Sequence, residues 1–155
     1  MQGMTKAKQA KKRRRSAHRT QWAAQFAVAS ELCKRGYEVA FTMGNHQILD
    51  LMVISPNREQ FFVDVKGQYK PNPWPVRLRK TRGKLFYVFA FVPDDARNRF
   101  FILTQTQVNK GILANEARAR ASRTAKGLPG EPGDLTVVER RLVQCYEDAW
   151  SALPK

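Results

Sequence analysis

Two runs of β-forming residues on either side of a short turn constrain the fold of this chain more than any other feature. Residues 48–54 and 60–66 are rich in β-branched and aromatic side chains, and residues 55–59 combine serine, proline and asparagine. Such a pattern is typical of a β-hairpin whose loop is residues 55–59. We therefore predict that both runs are strands and that Ile54 faces Gln60 across the loop.

The predicted hairpin carries charged residues where a buried strand usually has none. Counting back from the loop places Asp50 opposite Asp64, and Lys66 shares the face of Asp64 because side chains alternate along a strand. Opposed Cβ atoms lie about 4.5–5.5 Å apart, so two carboxylates there repel each other unless a divalent cation lies between them. A bound Mg²⁺ ion with a lysine beside it suits phosphodiester hydrolysis. The alternative is a solvated strand face on which Asp64 and Lys66 form an ordinary ion pair.

A helix followed by these strands resembles the PD-(D/E)XK nuclease superfamily, which includes restriction endonucleases, Holliday junction resolvases and some intron endonucleases. The resemblance covers residues 22–108 and rests on the runs Gly36–Val39 (GYEV), Leu49–Asp50 (LD) and Val63–Gly67 (VDVKG). Leu49 stands where the name of the motif has proline, which is a common variation. The resemblance implies a restriction endonuclease-like core.

The resemblance also implies roles for individual residues. Asp50 and Asp64 match the two metal carboxylates, with the Val65 carbonyl as a further ligand, and Lys66 matches the catalytic lysine. The expected cofactor is Mg²⁺, or Mn²⁺ in its place. Gln25 aligns with a glutamate that many members carry on the first helix. An amide in that position orients a water or a metal ligand, but it adds no negative charge.

The charge of the chain points to a polyanionic partner. Lysine and arginine number 28 against 13 acidic residues, which gives a net charge of +15. We expect DNA first, with RNA as the alternative. Residues 1–19 form a basic segment without acids, which we predict to be a disordered arm until it meets phosphates. The arm residues expected to bind nucleic acid are Lys11, Lys12, Arg13, Arg14 and Arg15.

A second basic stretch follows the hairpin at residues 67–84. Its alternate prolines exclude a helix or a central strand, and it carries six Lys/Arg, two aromatic residues and no acid. We predict a nucleic-acid clamp that leaves directly from the metal site. The alternative is that Trp74 packs on the sheet and the charges are solvated. The clamp residues expected to bind nucleic acid are Lys70, Trp74, Arg77, Arg79, Lys80 and Arg82.

The remaining pattern predicts an α/β domain with a mixed central β-sheet flanked by helices. A helix over residues 20–35 ends at Gly36 and a strand follows at 37–42. Further strands are predicted at 85–92 and 99–103. A second helix opens at Thr104, where Gln107 completes a capping box, with Val108, Ile112 and Leu113 inward. The stripe predicted to bury the first helix is Trp22, Phe26, Ala29 and Cys33, widened by Val28 and Leu32.

The domain prediction divides the chain into three parts. Residues 1–19 are the arm, residues 20–126 the nuclease-like core, and residues 127–155 a connector with a last helix that Asp134 caps and that packs on the core or on a second subunit. Cys33 and Cys145 have no metal-type spacing, so we expect two buried thiols in a reducing compartment. We expect no membrane span and no secretion signal, and hence a cytoplasmic protein, nucleoid-associated if bacterial.

Three functions fit these observations. The first is a Mg²⁺-dependent DNA endonuclease, for which a homodimer would supply two active sites. The second is a nuclease-fold protein that binds nucleic acid without cleaving it, with Gln25 marking the loss of activity. The third is an RNA-binding or ribosome-associated basic protein in which Asp64 and Lys66 are merely a surface ion pair.

Overall fold

A computed structural model describes residues 14–42, 49–130 and 136–155. Five strands form one sheet in the order β1-β2-β3-β5-β6, and β4 pairs with β7 separately. The elements are α1 (Ala17–Lys34), β1 (Glu38–Phe41), β2 (Leu51–Ile54), β3 (Gln60–Gln68), β4 (Trp74–Pro75), β5 (Leu85–Phe91), β6 (Arg99–Thr104), α2 (Gln105–Ala125), β7 (Val137–Val138) and α3 (Arg140–Val143), followed by 3₁₀ turns at Gln144–Tyr146 and Trp150–Ala152.

The sheet is mixed, which confirms the predicted α/β class. β1, β2 and β3 form an antiparallel meander, β5 lies parallel to β3, and β6 is antiparallel to β5. The helix α1 packs on one face with a core that includes Val65 and Val88. Val108 and Ile112 of α2 pack on the other face against Tyr87. Because β5 contributes to both cores, the strand predicted at residues 85–92 is covered on both faces.

The helix α1 uses a narrower buried stripe than predicted. Thr20, Ala24, Val28, Ala29 and Leu32 are its buried residues. The prediction was wrong for Phe26, which is 58% exposed, and for Cys33, which is exposed. Small side chains face the sheet because the helix approaches the strands closely, whereas the ring of Phe26 stacks on Trp22 outside. Gly36 follows the helix with a φ of 86°, as expected for a residue just past the end of a helix.

The capping box that opens α2 is present, with Thr104 and Gln107 in reciprocal hydrogen bonds. Leu113 was predicted to face inward, but it is 52% exposed. Val108 and Ile112 are the buried apolar residues of α2.

The predicted last helix is wrong. Val137 and Val138, which are β-branched, extend instead and pair with Pro75 and Trp74. Asp148 has a φ of 52°, which a continuous helix does not allow, so only short helical turns follow. Cys145, in one of these turns, is exposed rather than buried. The predicted cap Asp134 lies outside the described residues.

The predicted arm is only partly described. Residues 1–13 lie outside the described part of the chain, and α1 already begins at Ala17. Arg15, predicted to belong to a disordered segment, contacts the folded domain. Its guanidinium donates to the Val92 carbonyl at 2.7 Å, pairs with Asp94 and lies over the Tyr69 ring.

The closest approach between α1 and the sheet occurs at Gly67. A Cβ atom there would lie 2.7 Å from the Ala24 Cβ and 3.0 Å from the Thr20 carbonyl oxygen. We therefore expect Gly67→Ala to lower the free energy of unfolding by about 1–3 kcal/mol, because the helix must move outward. Urea unfolding measures this change. Gly83→Ala is the control, since nothing lies within 4 Å of the added atom; equal effects of the two substitutions would contradict the close packing.

Candidate functional site

The predicted register of the hairpin is present as far as Leu51, the residue that follows Asp50. Ile54 pairs with Gln60 and Leu51 with Val63, as predicted. The strand pairing ends there, one residue short of the predicted pairing of Asp50 with Asp64. The main-chain amide of Asp50 donates to the Val63 carbonyl at 3.2 Å. Asp50 therefore lies immediately before the first residue of β2 and beside β3.

Hydrogen bonds from three sides hold the carboxylate of Asp50. The Val65 main-chain amide of β3 donates to Oδ2 at 2.7 Å. The Asp50 carboxylate thus takes the place of a main-chain carbonyl as the acceptor for this amide. From α1, the Gln25 side-chain amide donates to Oδ1 at 2.7 Å. The Gln21 amide nitrogen lies 3.4 Å from Oδ2 and donates to the Val65 carbonyl at 2.8 Å. Helix and strand thus position this carboxylate together.

Asp64 is deeply buried but faces two cations. Its side chain is 3% exposed, and Lys66 Nζ lies 2.5 Å from Oδ1. Arg79 Nη1 lies 3.0 Å from Oδ2 and donates a hydrogen bond to it. The contact of Oδ1 with the ammonium group is one of charge, because Oδ1 accepts no aligned hydrogen bond from the described residues. Lys66 and Arg79 are each about one quarter exposed, so both are more accessible to solvent than the carboxylate that they contact.

The electrostatics show that the two carboxylates lie close together. Burial raises the pKa of Asp50 to about 6, and the negative charge of Asp64 and a side-chain hydrogen bond with it add to the rise. The Val65 amide and the Lys66 charge oppose it. Burial and the Asp64 charge likewise raise the pKa of Tyr87, the neighbour of Asp64 on β5, while Arg79 lowers it. Positive charge near Asp50 therefore favours the ionised form of this carboxylate.

The residues present fit a hard divalent cation. Two carboxylates and the Val65 carbonyl are oxygen ligands of the kind that Mg²⁺ and Mn²⁺ prefer. The buried Asp64 Oδ1 accepts no aligned hydrogen bond from the described residues, so its contact with the Lys66 ammonium leaves lone pairs for a further ligand. No group of three or more His, Cys, Asp or Glu side chains suited to a metal occurs in the described residues. The ligand set would thus be two carboxylates with a main-chain oxygen.

Three residues of this site were not assigned to it from the sequence. Gln21 lies one helical turn before Gln25, and an i, i+4 pair of glutamines on one helix face was the available signal. Tyr87 sits beside Asp64 through the parallel pairing of β3 with β5, which nothing local predicts. Arg79 was expected on phosphate, yet it contacts Asp64.

The predicted nucleic-acid residues have different environments. Trp74 is 1% exposed and packs against Phe89 and Phe101, so its predicted role in base stacking is wrong and the alternative of packing on the sheet is confirmed. Lys11, Lys12 and Arg13 lie outside the described residues. The exposed members of the set are Arg14, Lys70, Arg77, Lys80 and Arg82.

Comparisons of this chain with protein-family models, with curated proteins and with solved structures gave no match. The resemblance to the PD-(D/E)XK superfamily therefore rests on the motif residues and stays a prediction. In the part of the chain that the structure describes, no helix combines the length and the hydropathy that crossing a bilayer requires.

The raised pKa of Asp50 predicts a measurable pH dependence of stability. The carboxyl binds its proton more tightly folded, with a pKa of about 6, than unfolded, with 3.8. The contribution of Asp50 to stability is therefore lost as the pH rises through this interval. Relative to Asp50→Asn, we expect the wild-type free energy of unfolding to fall by on the order of 1–2 kcal/mol between pH 4 and pH 7, allowing for partial exposure.

Urea unfolding of both proteins in EDTA measures this difference. Altered hydrogen bonds to Gln25 and Val65 would change the free energy of unfolding by the same amount at every pH. Ionisation of Asp50 instead changes how steeply the free energy of unfolding depends on pH. Parallel pH profiles for wild type and Asp50→Asn would contradict the raised pKa.

Proposed function

We propose that this chain is a Mg²⁺-dependent endonuclease that hydrolyses phosphodiester bonds in DNA. The observation that carries the proposal is the convergence of Asp50 and Asp64 with Lys66, whose Nζ lies 2.5 Å from Asp64 Oδ1. The mixed sheet with helices on both faces is compatible with a restriction endonuclease-like core. Such an enzyme would act in the cytoplasm, at the nucleoid in a bacterium.

Each residue of the site has a distinct role in this proposal. Asp50, Asp64 and the Val65 carbonyl would hold Mg²⁺ or Mn²⁺. The ion supplies a water of lowered pKa and neutralises charge on the phosphate. Lys66 orients the attacking water or stabilises the charge that develops on the phosphate oxygens. Gln25 positions the Asp50 carboxylate through its 2.7 Å hydrogen bond.

The basic surface fits DNA as the substrate. The net charge of +15 attracts a polyanion, and the exposed Lys70, Arg77, Lys80 and Arg82 follow the candidate site in the chain. Phosphate contacts of this kind position a nucleic acid without specifying its sequence. Cleavage of both strands of a duplex would need two active sites, for which a homodimer is the simplest arrangement.

Asp64→Asn tests the enzyme directly. We expect it to reduce Mg²⁺-dependent nicking of plasmid DNA by about 100-fold or more, because it removes a negative ligand while keeping the shape of the side chain. Glu38→Gln is the matched control, since it also neutralises one carboxylate. Glu38 lies on β1, and its carboxylate forms an exposed ion pair with Arg58. Equal nicking by wild type and Asp64→Asn would contradict the proposal.

A nuclease-fold protein that binds DNA without cleaving it is the second candidate. Two observations favour it: Gln25 supplies an amide donor rather than a carboxylate, and Arg79 already pairs with Asp64. Tight DNA binding by the wild type, measured by fluorescence anisotropy, together with no cleavage in Mg²⁺ or Mn²⁺ would support this candidate over the first.

Gln25→Glu probes the helix position in either case. We expect Mn²⁺ binding, measured by calorimetry, to tighten about tenfold, because a third carboxylate would face the ion beside Asp50. Gln25→Ala removes the amide without adding charge and serves as the control. Unchanged Mn²⁺ affinity in Gln25→Glu would contradict the placement of Gln25 next to the metal. Cleavage by Gln25→Glu but not by the wild type would favour the second candidate.

A further inference from the structure

The segment between β4 and β5 is tied to α2 near the candidate site. We call residues 77–84 the strap. Gln105 of α2 is 2% exposed, and its side chain donates to the Lys80 carbonyl at 3.1 Å and accepts from the Arg82 amide at 2.6 Å. Asn109, one turn later, donates to the Arg79 carbonyl at 2.9 Å. The strap backbone is therefore held by contacts that do not involve the Arg79 side chain.

The strap places one guanidinium group on the metal carboxylate. Arg79 Nη1 lies 3.0 Å from Asp64 Oδ2, and the Arg79 side chain is 28% exposed while that of Asp64 is 3% exposed. The Arg79 guanidinium is thus more accessible to solvent than the buried carboxylate that it contacts. A cation or a phosphate that approaches Asp64 Oδ2 comes close to Arg79.

The charges of the site balance without a divalent ion. Asp50 and Asp64 contribute two negative charges when ionised, and Lys66 and Arg79 contribute two positive charges beside Asp64. A dication added to this arrangement would be attracted by the two carboxylates but repelled by both cations, so the departure of one cation would strengthen its binding. Lys66 lies on the same strand as Asp64 and stays beside it. Arg79 comes from the strap. Its guanidinium group can bind either a carboxylate or a phosphate, often through two hydrogen bonds.

We propose that Arg79 is a positioning residue that exchanges partners, from Asp64 in the free protein to a DNA phosphate in the complex, so that DNA binding opens the carboxylate pair to the metal. This inference rests on the proposed endonuclease function. By linkage, DNA and the divalent ion strengthen each other's binding by the same factor. The protein then holds its metal tightly only when a phosphodiester is in place.

Mn²⁺ binding by Arg79→Gln and wild type, with and without DNA, tests the exchange. The DNA probe is a short duplex with phosphorothioate linkages, which keep the backbone charge and resist cleavage. Without DNA, we expect Arg79→Gln to bind Mn²⁺ about tenfold more tightly than wild type. With DNA, the affinity of wild type should rise by a similar factor, whereas that of Arg79→Gln should change little.

Two further variants separate the exchange from simpler effects. Arg118→Gln removes the same charge from an exposed position on α2, so it should leave Mn²⁺ binding as in wild type. Asn109→Ala frees the Arg79 main chain without changing any charge, and it should give an intermediate Mn²⁺ affinity. If Arg79→Gln fails to fold, Asn109→Ala carries the test alone.

The outcomes distinguish this inference from the function on which it rests. Equal Mn²⁺ affinities of wild type, Arg79→Gln and Asn109→Ala without DNA would overturn the exchange and leave the endonuclease proposal standing. Equal tightening by Arg118→Gln and Arg79→Gln would also overturn it, because general charge removal would then explain the effect. No Mn²⁺ binding in any variant, with or without DNA, would overturn both proposals.

Discussion

The close contact between α1 and β3 at Gly67 is the constraint on which the candidate site depends. Because Gly67 has no side chain, the helix main chain at Thr20 reaches the strand, and Gln21 accepts a hydrogen bond from the Gly67 amide at 3.3 Å. The same approach lets Gln21 and Gln25 reach Val65 and Asp50. Gln21 and Gln25 of α1 thus become part of a polar site between the helix and the sheet.

The site combines two opposing electrostatic demands. Burial raises the pKa of Asp50, and Asp64 lies close enough for its negative charge to raise that pKa further. Main-chain and side-chain donors stabilise Asp50, while Lys66 and Arg79 stabilise Asp64. The fold therefore bears the cost of two close, buried carboxylates, which is typical of sites that bind a cation or shift protons.

Local sequence patterns predicted the hairpin and its register because alternation and turn residues act within a few positions of each other. The pairs from Ile54–Gln60 to Leu51–Val63, the capping box at Thr104 and the strand at β5 follow from such patterns. The buried stripe of α1 was misjudged because hydropathy alone favours Phe26 over Ala24 at an interface. The packing instead required the smaller residue opposite Gly67.

Long-range pairing explains the other differences between prediction and structure. Val137 and Val138 lie in an apolar helical pattern, yet they extend because β4, about sixty residues earlier, offers an edge that the prolines around Trp74 leave accessible. The position of Arg79 has the same kind of cause, since Gln105 and Asn109 hold its main chain from a helix that follows two strands later. From the sequence alone, every arginine in this basic loop is predicted to bind phosphate. Only the tie to α2 distinguishes Arg79, which reaches a buried carboxylate, from Arg77, which is exposed to solvent.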